Sequence, residues 1–484
     1  MKLNFQPISN VIGVLMLIYG AFMLFVYAYV TVIHSIDGTA FLYSSLITMG
    51  FGFLSYKIKL NNSLSVNKRE GYIIVVTSWL IMALCGALPY HFAGVTDNYA
   101  HAFFESASGF TTTGASIFND IESLPKGILV WRSLTQWIGG MGIIVLTVAL
   151  LPLLGIAGIE LFVAEAPGPT ADKLHPRIKE TAKRLWFLYV GITALLAVLL
   201  LLEGMNLFDA VNHAFTTMAT GGFSTKNASI AYYENPAIHY TLGLFMFIAG
   251  TNYFVIYHLA KGHFKASWSN EEFRWYFYIM IFLVVGVTLG IYASTQQPLE
   301  KAFRDSFFMV NSIVSTTGYV TADYTSWNPT LTVIFFLLLF LGASAGSTAG
   351  GIKIIRHMVF AKNSLLEFKR ILHPRALIRI KISRELVPPR ILTHILVFLL
   401  IYLLTFFVGM VVVVAFGVDI MTAAGAVATS LGNVGPGIGE VGPVDNFYDI
   451  PDGAKCFLGI LMIMGRLELF TVLVLFTPYF WKTN

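Results

Sequence analysis

The segment KAFRDSFFMVNSIVSTTGYVT (301–321) decides the fold, because three other segments of the chain have the same form. Each begins with a half-apolar stretch, continues with small and hydroxylated residues around one glycine, and ends in a polar exit. The other three read HAFFESASGFTTTGAS (101–116), DAVNHAFTTMATGGFST (209–225) and TAAGAVATSLGNVGPGIG (422–439). Aligning all four on one glycine pairs Gly114, Gly222, Gly318 and Gly435. Such self-similarity indicates a repeat architecture.

Long apolar stretches flank each segment. Of the 484 residues, 56% are hydrophobic and 12% are charged, a composition far from that of soluble proteins. A helix needs about 20 mostly apolar residues to cross a bilayer core. About ten stretches meet this requirement: 8–33, 39–56, 72–92, 127–155, 185–203, 239–260, 276–296, 331–360, 391–417 and 453–480. The composition therefore predicts an all-α membrane protein.

The four glycine-containing segments are too short and too polar to cross the bilayer, so each is expected to enter it and return on the same side. Non-helical backbone at that depth is tolerated only where protein buries it or where it lines water. We predict four pseudo-repeats of span, re-entrant half-helix, filter loop and span around one pore. Packing of small residues between helices is the alternative interpretation. The predicted boundaries are 1–66 for a peripheral N-terminal helix pair, then 67–165, 166–265, 266–375 and 376–484 for repeats 1 to 4.

The glycine of each loop indicates a cation site made of backbone oxygens. Without a side chain, glycine adopts positive φ at low cost and lets the backbone approach an axis. Rings of carbonyl oxygens replace the hydration shell of a cation, as in potassium filters. The half-helices end at the pore with the partial negative charge of their C-termini, which also favours a cation. The pattern therefore predicts potassium conduction.

Basic residues concentrate in alternate connections between spans, and the stretch 353–390 alone holds ten Lys and Arg. By the positive-inside rule, both termini face the cytoplasm and the four loops enter from outside. Acidic residues accumulate in the opposite connections, where they would concentrate cations near an entrance. The basic stretch 353–390 is either an amphipathic surface for lipid headgroups or a docking surface for a protein partner. We do not expect nucleic acid to bind it.

Small residues from Gly342 to Gly351 interrupt the apolar stretch 331–360. A helix has little reason to stay wound there, since each glycine costs about 1 kcal/mol relative to alanine. The interruption falls near the middle of the membrane, so we expect a flexible loop that crosses the inner pore and acts as a gate. A close helix-packing surface is the alternative. The candidate gate residues are Gly342, Gly346, Ser347, Thr348, Gly350, Gly351, Lys353 and Arg466.

Arg466 lies in the middle of the last apolar stretch, 453–480. An arginine at the centre of a membrane helix costs about 3 kcal/mol on insertion scales, so it normally faces a partner or a water-filled cavity. It is either a positive barrier beneath the filter or one half of a structural pair with an acidic residue such as Glu468. The sequence leaves both interpretations open.

Motifs for enzyme chemistry are incomplete in this chain. Gly342 to Gly346 match G-x-S-x-G around Ser344, but a hydrolase elbow needs a strand before it and acid and histidine partners. A phosphate-binding loop is excluded because Ile352 separates Gly351 from Lys353. We therefore expect no enzyme, and an intramembrane hydrolase is the least favoured function. A potassium symporter coupled to H⁺ or Na⁺ is the stronger alternative, although the spans offer few ionisable residues for a proton relay.

The four loops, GASAGSTAGGIKIIR (342–356) and GRLELF (465–470) together resemble the Trk/Ktr/HKT superfamily of cation transporters. Within it, the chain is most similar to the TrkH/TrkG membrane subunits of Trk potassium uptake systems. The resemblance covers essentially the whole chain. It implies a homodimer in the bacterial cell inner membrane and a cytosolic, nucleotide-binding regulatory subunit of the TrkA type. Such a partner would act on the gate and would hold the nucleotide site that this chain lacks.

The resemblance also assigns the residues that coordinate the transported K⁺, mainly through backbone oxygens. Gly114 favours potassium, because relatives that carry sodium often have serine at that position. The implied filter residues are Thr112, Thr113 and Gly114; Thr220, Gly221 and Gly222; Thr316, Thr317 and Gly318; and Asn433, Val434 and Gly435.

Overall fold

The computed structural model describes residues 3, 5–57, 68–142, 178–376, 378–383 and 385–482. Helices dominate these residues, and the only strands among them are the two-residue antiparallel pair β1 (Lys381–Ile382) and β2 (Glu385–Leu386). The predicted all-α fold is therefore confirmed.

The helices are named in chain order. They are α1 (Phe5–Val32), α2 (Gly38–Lys57), α3 (Lys68–Gly86), α4 (Leu88–Phe92), α5 (Tyr99–Phe110), α6 (Lys126–Trp137), α7 (Ile178–Leu202), α8 (Leu207–Met218), α9 (Pro236–Ala249), α10 (Tyr253–Ala260), α11 (Phe264–Ser269), α12 (Glu271–Thr295), α13 (Leu299–Val314), α14 (Pro329–Leu338), α15 (Ile354–Leu372), α16 (Pro389–Ala415), α17 (Ile420–Gly432), α18 (Asp452–Arg466), α19 (Phe470–Leu473) and α20 (Pro478–Trp481).

Six helices in the described part of the chain are long and apolar enough to cross a membrane, with α3 and α4 counted together. Two bent pairs raise the number to eight: α9 and α10 meet at 112°, and α18 and the segment after it at 107°. The predicted stretch 127–155 begins as α6 and then runs into residues 143–177, outside the described residues. The predicted stretch 331–360 contains α14, which ends at Leu338, so the expected interruption is present.

Four short helices, α5, α8, α13 and α17, lie at the positions of the predicted half-helices. Three of them start with a side-chain cap: Asn98, Asn206 and Asp419 accept hydrogen bonds from backbone N–H groups of the first turn. Each half-helix stands between a preceding and a following apolar helix, as predicted. Of the repeat boundaries, 66/67 and 165/166 lie outside the described residues, and 265/266 falls within α11.

The N-terminal pair α1 and α2 packs through glycine. A Cβ on Gly13 would lie 2.7 Å from the carbonyl oxygen of Gly52, so the two backbones can approach this closely only without side chains. The pair is joined to repeat 1 by Asp37, which is 2% exposed and accepts a hydrogen bond from the backbone N–H of Ile128 at 2.9 Å. Because Ile128 is in the first turn of α6, the carboxylate also faces the positive end of that helix.

We predict that Asp37→Ala loosens the attachment of the helix pair, because α6 loses an N-terminal hydrogen-bond acceptor worth about 1 kcal/mol. The thermal unfolding midpoint in detergent should fall. The midpoint of Asp37→Asn, which keeps an acceptor oxygen, should fall less. Asp449→Ala, an exposed acidic residue on a loop, is the control. Equal midpoints for Asp37→Ala and the control would contradict the assigned role.

Candidate filter and the loop beneath it

All four half-helices end in the same backbone conformation. The residue after the helix, or one beyond it, is left-handed, with φ between 53° and 57°: Thr112, Thr220, Thr316 and Asn433. The next N–H donates to the carbonyl oxygen five residues earlier, over 2.8 to 3.1 Å. This is a Schellman-type helix end, and it occurs here on residues other than glycine, which costs about 1–2 kcal/mol each. The repetition of so unusual a turn supports the predicted repeat.

The four predicted filter loops contact one another in a closed ring. A Cβ at the third filter position would overlap the carbonyl oxygen of the second filter position in the next loop. The pairs are Gly114 with Gly221, Gly222 with Thr317, Gly318 with Val434, and Gly435 with Thr113. These glycines also have φ between 76° and 103°. Glycine is therefore required at the third position both by conformation and by the approach of a neighbouring loop.

Side-chain hydrogen bonds stabilise the loops. The Thr113 hydroxyl lies 2.8 Å from the Thr111 hydroxyl, and Thr317 makes the same contact with Ser315 at 2.7 Å. Asn433 donates to the Thr113 hydroxyl at 3.0 Å, which links the fourth loop to the first. The polar side chains at these positions thus bond to protein, and the second position presents its backbone carbonyl to the next loop.

A cavity of about 180 Å³ opens on the side of the ring that we predict to face outwards, and all four ring glycines line it. Asp445 and Asn227 are also in its wall. Hydrogen bonds from Asn227 and Ser123 hold the pKa of Asp120 below its ordinary value, so this neighbouring carboxylate stays ionised. Among the described residues, no group of three or more His, Cys, Asp or Glu is arranged to hold a metal ion.

A buried ion pair that sequence reasoning missed lies beside the ring. Arg132 of α6 and Glu105 of α5 are 1% and 0% exposed, and their Nε and Oε1 atoms are 2.8 Å apart. Arg132 also donates to the carbonyl oxygen of Ser224, just after the second loop, at 3.0 Å. Glu105 accepts from the N–H of Ile117, just after the first loop, at 3.0 Å. The pair therefore joins the exits of loops 1 and 2. An arginine within the apolar stretch 127–155 was the available sequence signal.

The irregular segment between α14 and α15 lies directly beneath the ring. The Gly350 N–H donates to the Thr316 hydroxyl at 2.7 Å, and a Cβ on Gly350 would lie 2.6 Å from the carbonyl oxygen of Gly432. The Thr348 hydroxyl donates to the carbonyl oxygen of Met218, the last residue of α8, at 3.1 Å. Residues of the candidate gate thus contact the C-terminal ends of the half-helices of repeats 2, 3 and 4.

Hydrogen bonds hold this segment in place at its other end. Ser344 donates its N–H to the carbonyl oxygen of Gly250 at 3.0 Å, and Tyr253 donates to that of Gly346 at 3.1 Å. The Ala345 N–H donates to Glu272 Oε1 at 2.6 Å. The 112° bend between α9 and α10 is therefore the place where the segment docks. Helices flank Ser344 on both sides, so the strand that a hydrolase elbow requires is absent there.

Arg466 connects the segment to repeat 1. It donates to the carbonyl oxygen of Thr348 at 2.7 Å, and to those of Gly139 and Gly140 at 2.7 and 2.9 Å. The apolar stretch around it is not one straight helix, because α18 ends at Arg466 and the chain turns through left-handed Glu468 and Leu469. Glu468, suggested as a partner of Arg466, forms an ion pair with Arg356.

Lys353, the remaining candidate gate residue, is 7% exposed and donates to the carbonyl oxygen of Ala349. It therefore closes the segment on itself where α15 begins. Of the other candidates, Gly342 donates its N–H to the carbonyl oxygen of Ile352 at 2.9 Å, and the Ser347 hydroxyl donates to that of Ser344 at 2.6 Å. Gly346 and Gly351 have positive φ, which the turns of the segment require.

We predict that Arg132→Met strongly destabilises the protein, since it leaves Glu105 as an unpaired buried charge at a cost of about 3 kcal/mol or more. Thermal unfolding in detergent should reveal this loss. Adding Glu105→Gln should recover much of it, because the glutamine is neutral and keeps an acceptor for Ile117. If the double variant is as unstable as the sum of the two single variants, the two side chains do not act as a pair.

Comparison with known proteins agrees with this geometry. Residues 38–482 match the sequence model of the TrkH family, described as a cation transport protein. The chain is 39% identical to the Trk system potassium uptake protein TrkH of Escherichia coli K12 over 99% of its own length and 100% of that protein. It is 34% identical to the E. coli TrkG protein over 87% of each chain.

A solved structure extends the likeness to the fold. The crystal structure of the potassium transporter TrkH from Vibrio parahaemolyticus superimposes with a TM-score of 0.89 at 36% identity, and the match covers 99% of this chain and 100% of that one. These relatives are cation transport proteins rather than enzymes, and together with the apolar helices they indicate a multi-pass membrane protein. The chain is a member of the TrkH family.

Proposed function

We propose that this protein takes up potassium ions through a pore formed by the four filter loops. The closed ring, in which each third-position glycine packs against a second-position carbonyl oxygen of the next loop, supports this function most directly. A ring of four backbone carbonyl oxygens can replace the water molecules that hydrate K⁺. The names of the relatives given above agree with potassium as the ion.

In this proposal the four repeats keep their predicted boundaries, and backbone oxygens of their loops hold the ion. K⁺ is the transported substrate and not a resident cofactor. The coordinating residues are Thr112, Thr113, Gly114, Thr220, Gly221, Gly222, Thr316, Thr317, Gly318, Asn433, Val434 and Gly435. Cations reach the ring through the outer cavity, where Asp445 in the wall and the neighbouring Asp120 attract them.

We further propose that the segment from Gly342 to Lys353 is a gate that Arg466 holds closed. Its contacts with the inner ends of the half-helices support a position across the path of an ion that has passed the ring. The guanidinium of Arg466 adds a positive charge there, which opposes a cation. Opening requires these hydrogen bonds to break, and each bond to a charged group is worth about 1.5–3 kcal/mol.

A cytosolic regulatory subunit of the TrkA type is the proposed source of that energy, because a partner shifts a gate only by its difference in affinity for the two states. The basic stretch 353–390, which follows the gate directly, is the proposed docking surface. We also propose a homodimer in the bacterial inner membrane, with both termini in the cytoplasm, in contact with lipid and not with nucleic acid.

We predict that Gly318→Ser abolishes growth at low potassium or makes uptake permeable to sodium. The serine Cβ would overlap the carbonyl oxygen of Val434, and position 318 has a φ of 81°. The measurement is growth of cells that lack their own potassium transport, supplied with the cytosolic partner. Gly286→Ser is the matched control, since a Cβ on Gly286 meets nothing within 4 Å.

If Gly318→Ser restored growth as well as the unchanged chain, the ring would have a structural role and no role in ion selection. Failure of the unchanged chain to rescue growth would remove the potassium function. A reversal potential that moves with pH or with sodium would replace channel-like conduction by symport coupled to H⁺ or Na⁺.

We predict that Arg466→Met raises potassium flux in proteoliposomes without the partner by at least about tenfold. Each hydrogen bond from its guanidinium stabilises the closed state by about 1.5–3 kcal/mol, and a loss of about 1.4 kcal/mol already multiplies the open fraction by ten. Replacing 344–349 by a helix-forming segment should also raise the flux. Arg304→Met, near the start of α13 and paired with Glu300, is the control. If Arg466→Met folds and its potassium flux is unchanged, Arg466 does not hold the gate closed.

A further inference from the structure

The second filter position of repeat 2 is a glycine without a conformational reason. The other three loops carry Thr113, Thr317 and Val434 at this position, whereas repeat 2 carries Gly221. Unlike its neighbour Gly222, Gly221 is not in the positive-φ region. Its backbone would therefore accept a side chain without strain, and a contact must be what excludes one.

The excluding contact is the side chain of Gln136 from α6. A Cβ on Gly221 would overlap the Gln136 amide group. Gln136 is 0% exposed; its Nε2 donates to the carbonyl oxygen of Gly221 at 2.7 Å, and its Oε1 accepts from the N–H of Phe223 at 3.1 Å. One amide thus bonds the second loop on both sides of Gly222 and occupies the space that a side chain at 221 would need.

The corresponding positions of the other three repeats carry no side-chain amide. Counted from the start of each helix, the positions that correspond to Gln136 are the apolar residues Met246, Leu339 and Met462. One turn earlier on α6, Arg132 donates to the carbonyl oxygen of Ser224, just after the same loop. Helix α6 of repeat 1 therefore restrains the filter loop of repeat 2 with two side chains.

We infer that Gln136 is a specificity-determining residue of the filter, an assignment that depends on the proposed function. Gly221 contributes one of the four carbonyl oxygens at the second level of the ring. A donated hydrogen bond prevents this oxygen from moving inward around a smaller ion, and it lowers the field that the oxygen exerts. Both effects disfavour Na⁺, which needs closer and stronger ligands than K⁺. Gln136 itself does not touch the ion but positions an oxygen that does.

The first test is the ratio of sodium to potassium permeability of Gln136→Met in proteoliposomes. Methionine keeps the length of the side chain and loses both hydrogen bonds. The ratio should rise about fivefold, the factor that corresponds to one lost hydrogen bond, while potassium still passes. Met246→Leu, at the corresponding position of repeat 2, is the control and should leave the ratio unchanged. An unchanged ratio in folded Gln136→Met overturns the inference while leaving the potassium function intact.

A pair of substitutions tests the same contact independently and decides the matter if Gln136→Met does not fold. Gly221→Ala alone should lose most potassium uptake, because its Cβ meets the Gln136 amide. Combining it with Gln136→Ala removes the overlap, so uptake should return, but with the raised sodium permeability of an unbraced loop. Uptake by Gly221→Ala equal to that of the unchanged chain, or a rescued double variant with the original ion selectivity, overturns the inference. Absence of potassium uptake by the unchanged chain would instead refute the proposed function.

Discussion

The approach of each filter glycine to a carbonyl oxygen of the next loop is the constraint on which the rest of the structure depends. Because the contacts run from loop to loop and return to the first, no loop can move without its neighbours. The left-handed residue that ends each half-helix aims the backbone at this ring, and the surrounding helices bury the turn. Four strained turns persist because packing on all sides over-determines them.

Several hydrogen bonds of buried polar groups beside the ring connect one repeat to another. Arg132 and Glu105 join the exits of loops 1 and 2, and Asn433 joins loop 4 to loop 1. A buried pair of this kind contributes little net stability, since desolvation offsets the attraction, but removing one partner is costly. We therefore interpret these bonds as devices that fix the relative positions of the loops.

At the inner side, the third repeat places the irregular segment between α14 and α15 beneath the ring. Arg466 from repeat 4 and the carbonyl oxygen of Met218 from repeat 2 contact this segment, and Arg466 also donates to a carbonyl oxygen of repeat 1. Each repeat is therefore connected to the irregular segment, either directly or through Arg466. A small displacement of α15, which starts directly after it, would act on all of these contacts together.

The local sequence by itself determined the membrane spans, the four half-helices, the glycine of each loop and the interruption at 342–351. Helix formation and membrane insertion depend on the composition of about 20 neighbouring residues, which a single sequence displays. The tertiary structure alone decided the bends after Ala249 and Arg466, the pairing of Glu105 with Arg132, and the contact of Gln136 with Gly221. The partner of a buried polar group depends on which distant segments become neighbours, and hydropathy carries no information about that.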